Sequence, residues 1–281
     1  MPGKLFVIAT PLGHLDDLSP RAREALRSAD CIACEDTRRT STLLARFEIT
    51  TPLVSCHKFN EKARLEPLLR KLAAGRIIAL VSDAGTPCIA DPGALLVRAA
   101  VEAGHDVSPL PGPSAVTALL SVSGFPSDRF VFEGFLPHRA GERRRVLREL
   151  SSVTRPLVVY ETPHRIREAL EDVRAVMGDR ALVLGRELTK VHETILRGTA
   201  GELLAALGDS PKGEIVLVIA PSDGTSAGDG EAERILAAWR SELEASEGDR
   251  RIALKRTCKL TGMKRAELYR LLAELGEDVD G

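Results

Sequence analysis

Over the first 122 residues, short runs rich in β-branched and other apolar residues alternate with amphipathic stretches. That alternation predicts repeated strand–helix units around a mainly parallel sheet. Strands are expected at Leu5 to Ala9, Cys31 to Cys34, Leu53 to Ser55, Ile77 to Val81 and Asp106 to Ser108. Four pairs, Ser19-Pro20, Asp91-Pro92, Gly112-Pro113 and Thr162-Pro163, read as helix starts, because each places a cap before a residue whose missing N–H is harmless in a first turn. The pattern breaks from Gly124 to Asp128. A second strand set then follows at Phe130 to Phe132, Leu157 to Tyr160, Ala181 to Leu184, Thr194 to Arg197 and Ile215 to Ile219. A helix from Pro163 carries Ile166, Leu170, Val173 and Met177 on one face and stops at Gly178.

From Pro221 to Gly230 the residues are small and polar, the composition of a flexible linker. Beyond it, Arg250 to Leu260, the pair Thr261-Gly262, and Lys264 to Leu275 read as helix, turn, helix, with Leu268, Leu271, Leu272 and Leu275 as the apolar face. The expected organisation is α/β, with two α/β domains at 1–122 and 123–221, a linker at 222–233 and a basic helical appendage at 234–281. No repeat of fixed period runs through the chain, and no apolar run approaches the ~18 residues of a membrane span. With no signal-peptide pattern behind Met1, a cytoplasmic protein that binds no membrane is expected.

Apolar residues at 44% and charged residues at 28% exclude global disorder and fibrous repeats. Lys and Arg total 39 against 40 Asp and Glu, so any affinity for a polyanion has to be local. Two clusters qualify: His138, Arg139, Arg143 to Arg145 and Arg148, and the segment 250–270, where eight Lys or Arg meet one Glu. Such helix faces suit phosphates, while a solvated basic surface is the plainer reading. The excess of Arg over Lys fits phosphate recognition and codon bias equally. Five cysteines suit reduced thiols. Cys31 and Cys34, with Cys56 and His57 downstream, have a superficial metal spacing, but they fall in a strand where small apolar residues belong, so no metal is expected.

The segment Ser82 to Gly93 joins an apolar strand to a helix. Ligands of open α/β sheets collect at such carboxyl ends, where glycine permits close backbone approach. The loops from Thr10 to Gly13 and Leu110 to Ala115 hold equivalent positions. Neither the dinucleotide fingerprint nor the phosphate-loop motif of nucleotide hydrolases occurs. Charge also gathers at strand ends in Glu35 to Arg39, Tyr160 to Arg165, Gly185 to Lys190 and Pro211 to Glu214. Asp36 also serves as a helix cap in the plainer reading.

Taken in order, nine segments resemble the tetrapyrrole methylase superfamily and, within it, the bacterial ribosomal RNA small-subunit methyltransferase I family. They are Ala9 to Gly13 (ATPLG), Cys34 to Arg38 (CEDTR), His57 to Glu61 (HKFNE), Ser82 to Gly93 (SDAGTPCIADPG), Pro111 to Ala115 (PGPSA), Phe132 to Leu136 (FEGFL), Tyr160 to Arg165 (YETPHR), Arg186 to Lys190 (RELTK) and Lys212 to Glu214 (KGE). Each is weak alone and the ordered set is specific. His14, Cys34 and Cys56 depart from residues common in the family.

The resemblance implies two α/β domains with an S-adenosylmethionine site between them, a homodimer, and 2'-O-methylation of a cytidine in the decoding region of 16S rRNA within the small ribosomal subunit. Carried over by position, it implies cofactor contacts at Pro11, Ser82, Asp83, Ala84, Gly85, Ile89, Ser114, Ala115, Tyr160, Glu161 and Gly213. For this chemistry, Glu35, Asp36, Glu187 and Lys190 are the candidates to accept the hydroxyl proton, Lys190 on condition that desolvation lowers its pKa. Arg38, Arg165 and Arg186, with Arg144, Arg256 and Lys264 of the basic clusters, are candidates for RNA contact. The rival readings are C-methylation of a tetrapyrrole precursor and an RNA-binding relative without catalysis.

Overall fold

The structure is a computed structural model that describes residues 3–208, 211–223, 227–246, 248–261 and 263–277. Its first sheet holds β1 (Lys4–Ile8), β2 (Cys31–Cys34), β3 (Leu53–Ser55), β4 (Ile77–Val81) and β5 (Asp106–Leu110) in the order β3-β2-β4-β1-β5, all parallel. Helices α1 (Pro20–Ser28) and α2 (Thr37–Arg46) cover one face, where Leu26, Leu43 and Leu44 pack on Ile8, Ile32 and Ala79. Helices α3 (Glu61–Ala73) and α4 (Ala94–Glu102) cover the other, where Leu68, Leu72 and Leu96 pack on Leu5, Ile78 and Leu80. Burial on both faces explains why these strands are almost continuously apolar. The same alternation sends Cys31 to one face of β2 and Cys34 to the other, so the pair does not converge on an ion.

Helix α5 (Ala115–Ser121) leads to a mixed sheet of β6 (Val131–Phe135), β7 (Leu157–Glu161), β8 (Leu182–Arg186), β9 (Thr194–Gly198) and β10 (Ile215–Ile219), ordered β6-β7-β10-β8-β9. Only the β6–β7 pair is parallel. One face is covered by α6 (Ala140–Leu150), α7 (Ile166–Met177) and α8 (Ala200–Ala206), through Leu147, Leu170 and Leu203. The other face presents Val158, Val183, Val216 and Val218 to Val116, Leu119 and Leu120 of α5. Thus α5, which precedes the break in the pattern, packs against the second sheet.

Of the four Xaa-Pro pairs, only Ser19-Pro20 starts a helix: the Ser19 side chain accepts from the Ala22 N–H at 3.2 Å and Pro20 is the first residue of α1. The others remain in loops. Helix α4 begins after Gly93, whose left-handed φ of 117° no Cβ-bearing residue adopts readily, and buried Glu61 accepts the Gly93 and Leu95 N–H groups, each at 3.0 Å. Helix α5 begins after Ser114, and α7 after Arg165 rather than at Pro163. Asp91, Pro113, Thr162 and Pro163 are thereby released to the loops.

The appendage consists of α9 (Ala227–Ala245), α10 (Arg250–Thr261) and α11 (Arg265–Glu274). Helix α9 starts inside the stretch read as a linker, where alanine and glutamate from Glu231 onward favour helix despite Gly228 and Gly230. Residues 224–226 and Gly262, part of the expected linker and turn, lie outside the described residues. Fully buried Trp239 packs among Ile235, Leu254, Leu268 and Leu272, with Leu271 partly buried against them, whereas Leu275 is 40% exposed and falls off the expected apolar face. Among the described residues no helix is long and apolar enough to cross a membrane.

Candidate active site

Three loops at the carboxyl end of the first sheet are tied to one another. The Thr10 N–H donates to the Gly85 carbonyl at 2.8 Å, and the Gly85 N–H returns a bond to the Thr10 carbonyl at 3.0 Å. The Thr10 hydroxyl donates to the Ser82 carbonyl at 3.0 Å, and that of Thr86 to the Pro113 carbonyl at 3.4 Å. These bonds fix the wall of a cavity of about 310 Å³ that opens against the ends of β7 and β10.

Eight of the eleven residues expected at the cofactor line that cavity: Asp83, Ala84, Gly85, Ile89, Ser114, Ala115, Tyr160 and Glu161. The other three do not line it. Pro11 is buried, and the Ser82 hydroxyl turns back to the Ala84 and Gly85 carbonyls at 3.3 Å. Gly213, at φ 91°, leaves room for Glu187, whose side-chain atoms stand 2.3 Å from where a Cβ would sit. Ser82 and Gly213 therefore shape the site from behind.

Among the described residues the lining holds five carboxylates, Glu35, Asp83, Asp91, Glu161 and Glu214, against the guanidinium of Arg39. Burial, reinforced by the Glu35 charge, pushes Asp91 up to about 6, although a Ser82 hydrogen bond opposes the rise. Burial and then the Asp83 charge raise Glu35. Glu161 is buried at the back: its Oε1 accepts from the Thr162 N–H at 2.7 Å and from Arg165, while its Oε2 has no partner among the described residues. With its side chain 0% exposed, Glu161 lends the cavity wall its charge rather than a reachable acceptor. The Tyr160 ring lies 5.1 Å from Phe132 and 5.5 Å from Phe135, and burial pushes its hydroxyl up to about 12.

A second, more open and more polar trough is lined by Glu35, Asp36, Thr37, Arg38, Ser55, His57 and Asp83. It shares Glu35 and Asp83 with the first cavity. Of the four candidate bases, Glu35 alone lies in both. Asp36 caps α2, accepting from the Arg38 N–H at 2.8 Å and from its guanidinium at 2.8 and 3.1 Å, and these bonds hold its carboxyl at about 2. Burial resists ionisation of Glu187, but Lys190 at 2.9 Å and the Glu214 N–H at 2.9 Å outweigh it and lower the pKa. For Lys190 burial is likewise outweighed, by Glu187 and Glu214, and its pKa rises. The condition set for Lys190 as a base is not met; it is a fixed cation.

Asp91 was expected as a helix cap, and the pattern carried no sign of its place in the lining beyond the Ser82 to Gly93 segment it belongs to. Arg39 and Glu214 belong to the charged segments at the strand ends, and nothing local in the pattern separates them from their neighbours. Among the residues expected at RNA, Arg38 stands on the trough with its side chain 89% exposed and paired with Asp36. Arg165 is mostly buried, held by Glu161, the Thr162 hydroxyl and the Leu136 carbonyl, and it serves as an internal clamp. Arg144 bonds to Asp172, Arg186 donates to the Thr194 hydroxyl at 3.1 Å, and Arg256 faces Glu242 at 3.6 Å. Lys264 caps α11. Arg143, counted in the basic surface cluster, is instead buried against Asp172 at 2.6 Å.

The model of the family described as Tetrapyrrole (Corrin/Porphyrin) Methylases matches residues 4–204. The chain is 46% identical over 273 residues to Ribosomal RNA small subunit methyltransferase I of Xylella fastidiosa, covering 95% of this chain and 98% of that one. It is 45% identical over 281 residues to the protein of the same name from a Synechocystis species, covering 98% and 99%. In fold it is similar to uroporphyrin-III C-methyl transferase from Thermus thermophilus in complex with S-adenyl homocysteine, with a TM-score of 0.56 at 18% identity, over 77% of this chain and 96% of that one. A chain matched over most of its length by the superfamily model, and over nearly all of it by these relatives, belongs to the tetrapyrrole methylases and, among them, to the ribosomal RNA small subunit methyltransferase I family.

Proposed function

We propose that this methyltransferase transfers a methyl group from S-adenosylmethionine to the ribose 2'-hydroxyl of a cytidine in the decoding region of 16S rRNA, within the assembled small ribosomal subunit. The observation that carries this reading is the pair of adjoining cavities, one more apolar and one more open and polar, joined through Glu35 and Asp83. The names of the relatives, ribosomal RNA small subunit methyltransferase I, support the choice of RNA as acceptor.

The more apolar cavity fits the cofactor. Its five carboxylates favour a ligand bearing a sulfonium and an ammonium. Asp83, Ala84, Gly85, Ile89, Ser114, Ala115, Tyr160 and Glu161 would hold it. When bound, the cofactor supplies a methyl group on a good leaving group. The protein's part is alignment of donor and acceptor, an effect worth as much as ~7–11 kcal/mol in well-oriented reactions. Glu35, present in both cavities, accepts the proton of the ribose hydroxyl. A raised pKa matches it to that task better than Asp36 or Glu187.

A displaced or single-stranded cytidine is the form that a protein reads, because A-form duplex hides base edges from side chains. The basic segment 250–270 supplies salt-dependent affinity for the surrounding phosphates. The resemblance of the nine segments supports a homodimer working in the cytoplasm.

The test is incorporation of labelled methyl from S-adenosylmethionine into unmodified small subunits, free 16S rRNA and a tetrapyrrole precursor in parallel, followed by nuclease mapping. Label on a cytidine ribose in the subunit is the expected result. Label on the tetrapyrrole alone would overturn the choice of substrate. Removing residues 226–281 should weaken capture of the subunit and leave cofactor affinity intact; equal loss of both would refute that division of labour.

A further inference from the structure

The turn between β3 and α3 holds an aromatic ring that the fold does not use. Phe59 is 92% exposed, so its ring is left free to meet a ligand. The turn beneath it is nevertheless closely bonded. The His57 N–H donates to Asn60 Oδ1 at 2.7 Å, the Phe59 N–H to His57 Nδ1 at 3.2 Å, and the Asn60 N–H to the His57 carbonyl at 2.9 Å. Asn60 also donates from Nδ2 to the Ser55 carbonyl at 3.3 Å. The ring is thus carried outward on a fixed support, with its centroid 6.1 Å from that of His57 in an edge-on arrangement.

His57 and Ser55, which build this support, also line the polar trough that meets the cofactor cavity. Lys58, Lys62 and Arg64 stand exposed on the turn and in the first turn of α3. A lone ring among exposed cations, beside a polar trough, lacks the contiguous apolar area that a subunit contact would bury. It has the two components of a single-stranded nucleic acid site, a stacking platform and positive charge along the backbone path.

We propose that Phe59 is the platform on which a base of the substrate RNA stacks, bringing the attached ribose to the trough lined by His57, Ser55 and Glu35 while the phosphates stay outside it, along Lys58, Lys62 and Arg64. Phe59 is a positioning residue and touches no reacting atom. The inference rests on the reading of RNA as the methyl acceptor and adds which part of the surface meets the unpaired strand. Loss of one stacked base costs about five- to 150-fold in binding.

The experiment compares the intact protein with Phe59→Ala and Phe59→Trp in methyl transfer to unmodified small subunits. Phe59→Ala should raise KM for the subunit about tenfold with kcat and the Kd for S-adenosylmethionine within twofold. Phe59→Trp should keep KM within about threefold. The native chain has a single Trp, buried Trp239. The extra emission of Phe59→Trp over the parent should therefore be quenched when RNA binds, a signal that a merely structural role would not produce. Unchanged KM in Phe59→Ala, or no quenching in Phe59→Trp, overturns the inference while RNA methylation by the parent stands. Conversion of a dimer to monomers by Phe59→Ala in sedimentation would assign the ring to a subunit contact and likewise overturn it. Failure of the parent to methylate any RNA would bring down the functional reading and this inference together.

Discussion

Arg39 of α2 and Glu214, the residue before β10, meet across the cleft at 3.7 Å, and the same guanidinium reaches Asp83 at 3.5 Å. Both partners are more than half exposed, so the contact contributes at most about 1 kcal/mol to stability. Its effect is on charge in the cavity. Arg39→Ala should shift the urea-unfolding free energy by less than about 1 kcal/mol. Because it removes the cation that the described residues place in the lining, it should tighten S-adenosylmethionine roughly two- to fivefold relative to the product, whose sulfur carries no charge, in calorimetric titration. Weaker binding of the sulfonium form would mean that the guanidinium contacts the ligand directly.

Glu35→Gln keeps the size and most of the hydrogen-bonding capacity of the side chain and removes the base. Single-turnover methyl transfer should fall by about 10²–10⁴ with cofactor affinity held. In the parent protein kcat/KM should rise with pH as the Glu35 carboxyl, raised by burial and Asp83, loses its proton. That acid limb should vanish in Glu35→Gln and persist in Asp91→Asn. Its loss in Asp91→Asn instead would transfer the role to Asp91.

Asp91 also makes a prediction about stability. Its carboxyl is raised from the ordinary 3.8 to about 6, so between those values the native state holds a proton that the unfolded state has released. Stability from this group therefore falls as pH rises through that window and stays at the lower level above it. Asp91→Asn should be the more stable protein at pH 7, by at most about 3 kcal/mol, and should match the parent near pH 3.5. Urea titrations at the two pH values check this; greater stability of the parent at pH 7 would show that the carboxylate is favourably paired.

Within the second sheet's helical cover, Arg143 of α6 and Asp172 of α7 have side chains only 1% and 3% exposed and lie 2.6 Å apart. Without Asp172 the buried Arg143 guanidinium keeps only Glu168 at 3.5 Å and the His138 carbonyl at 3.2 Å, and loses its short, fully buried partner. Asp172→Ala should lower unfolding free energy by about 3–5 kcal/mol, whereas replacing both with apolar residues of similar volume should restore much of it. A loss below 1 kcal/mol in Asp172→Ala would mean that water reaches Arg143 freely.

All ten strands were legible because their signal is local. A strand buried on both faces is a short apolar run between turn residues, and β4, β7 and β10 are of that kind. Loops at the carboxyl ends followed from that order, and with them most of the cavity lining. Helix starts were not legible in the same way. Whether Asp91-Pro92 begins a helix depends on Glu61, thirty residues earlier, reaching over to accept the Gly93 and Leu95 N–H groups. The state of Lys190 depended on Glu187 and Glu214 standing beside it, and Glu214 lies on a different strand connection. Arg143 looked like one of several surface arginines because its partner, Asp172, is on the next helix.

Helix α5 has a consequence for the way this chain reaches its native state. Its apolar side rests on Val216 and Val218 of β10, a strand made roughly a hundred residues later and lying at the centre of the second sheet between β7 and β8. During synthesis the first sheet can form while Val116, Leu119 and Leu120 still have nothing to cover them. A nascent chain paused before β7 is made therefore displays a sticky helix, and one paused before β10 leaves it half covered, a natural target for chaperones and a source of aggregation when the carboxyl half is cut away.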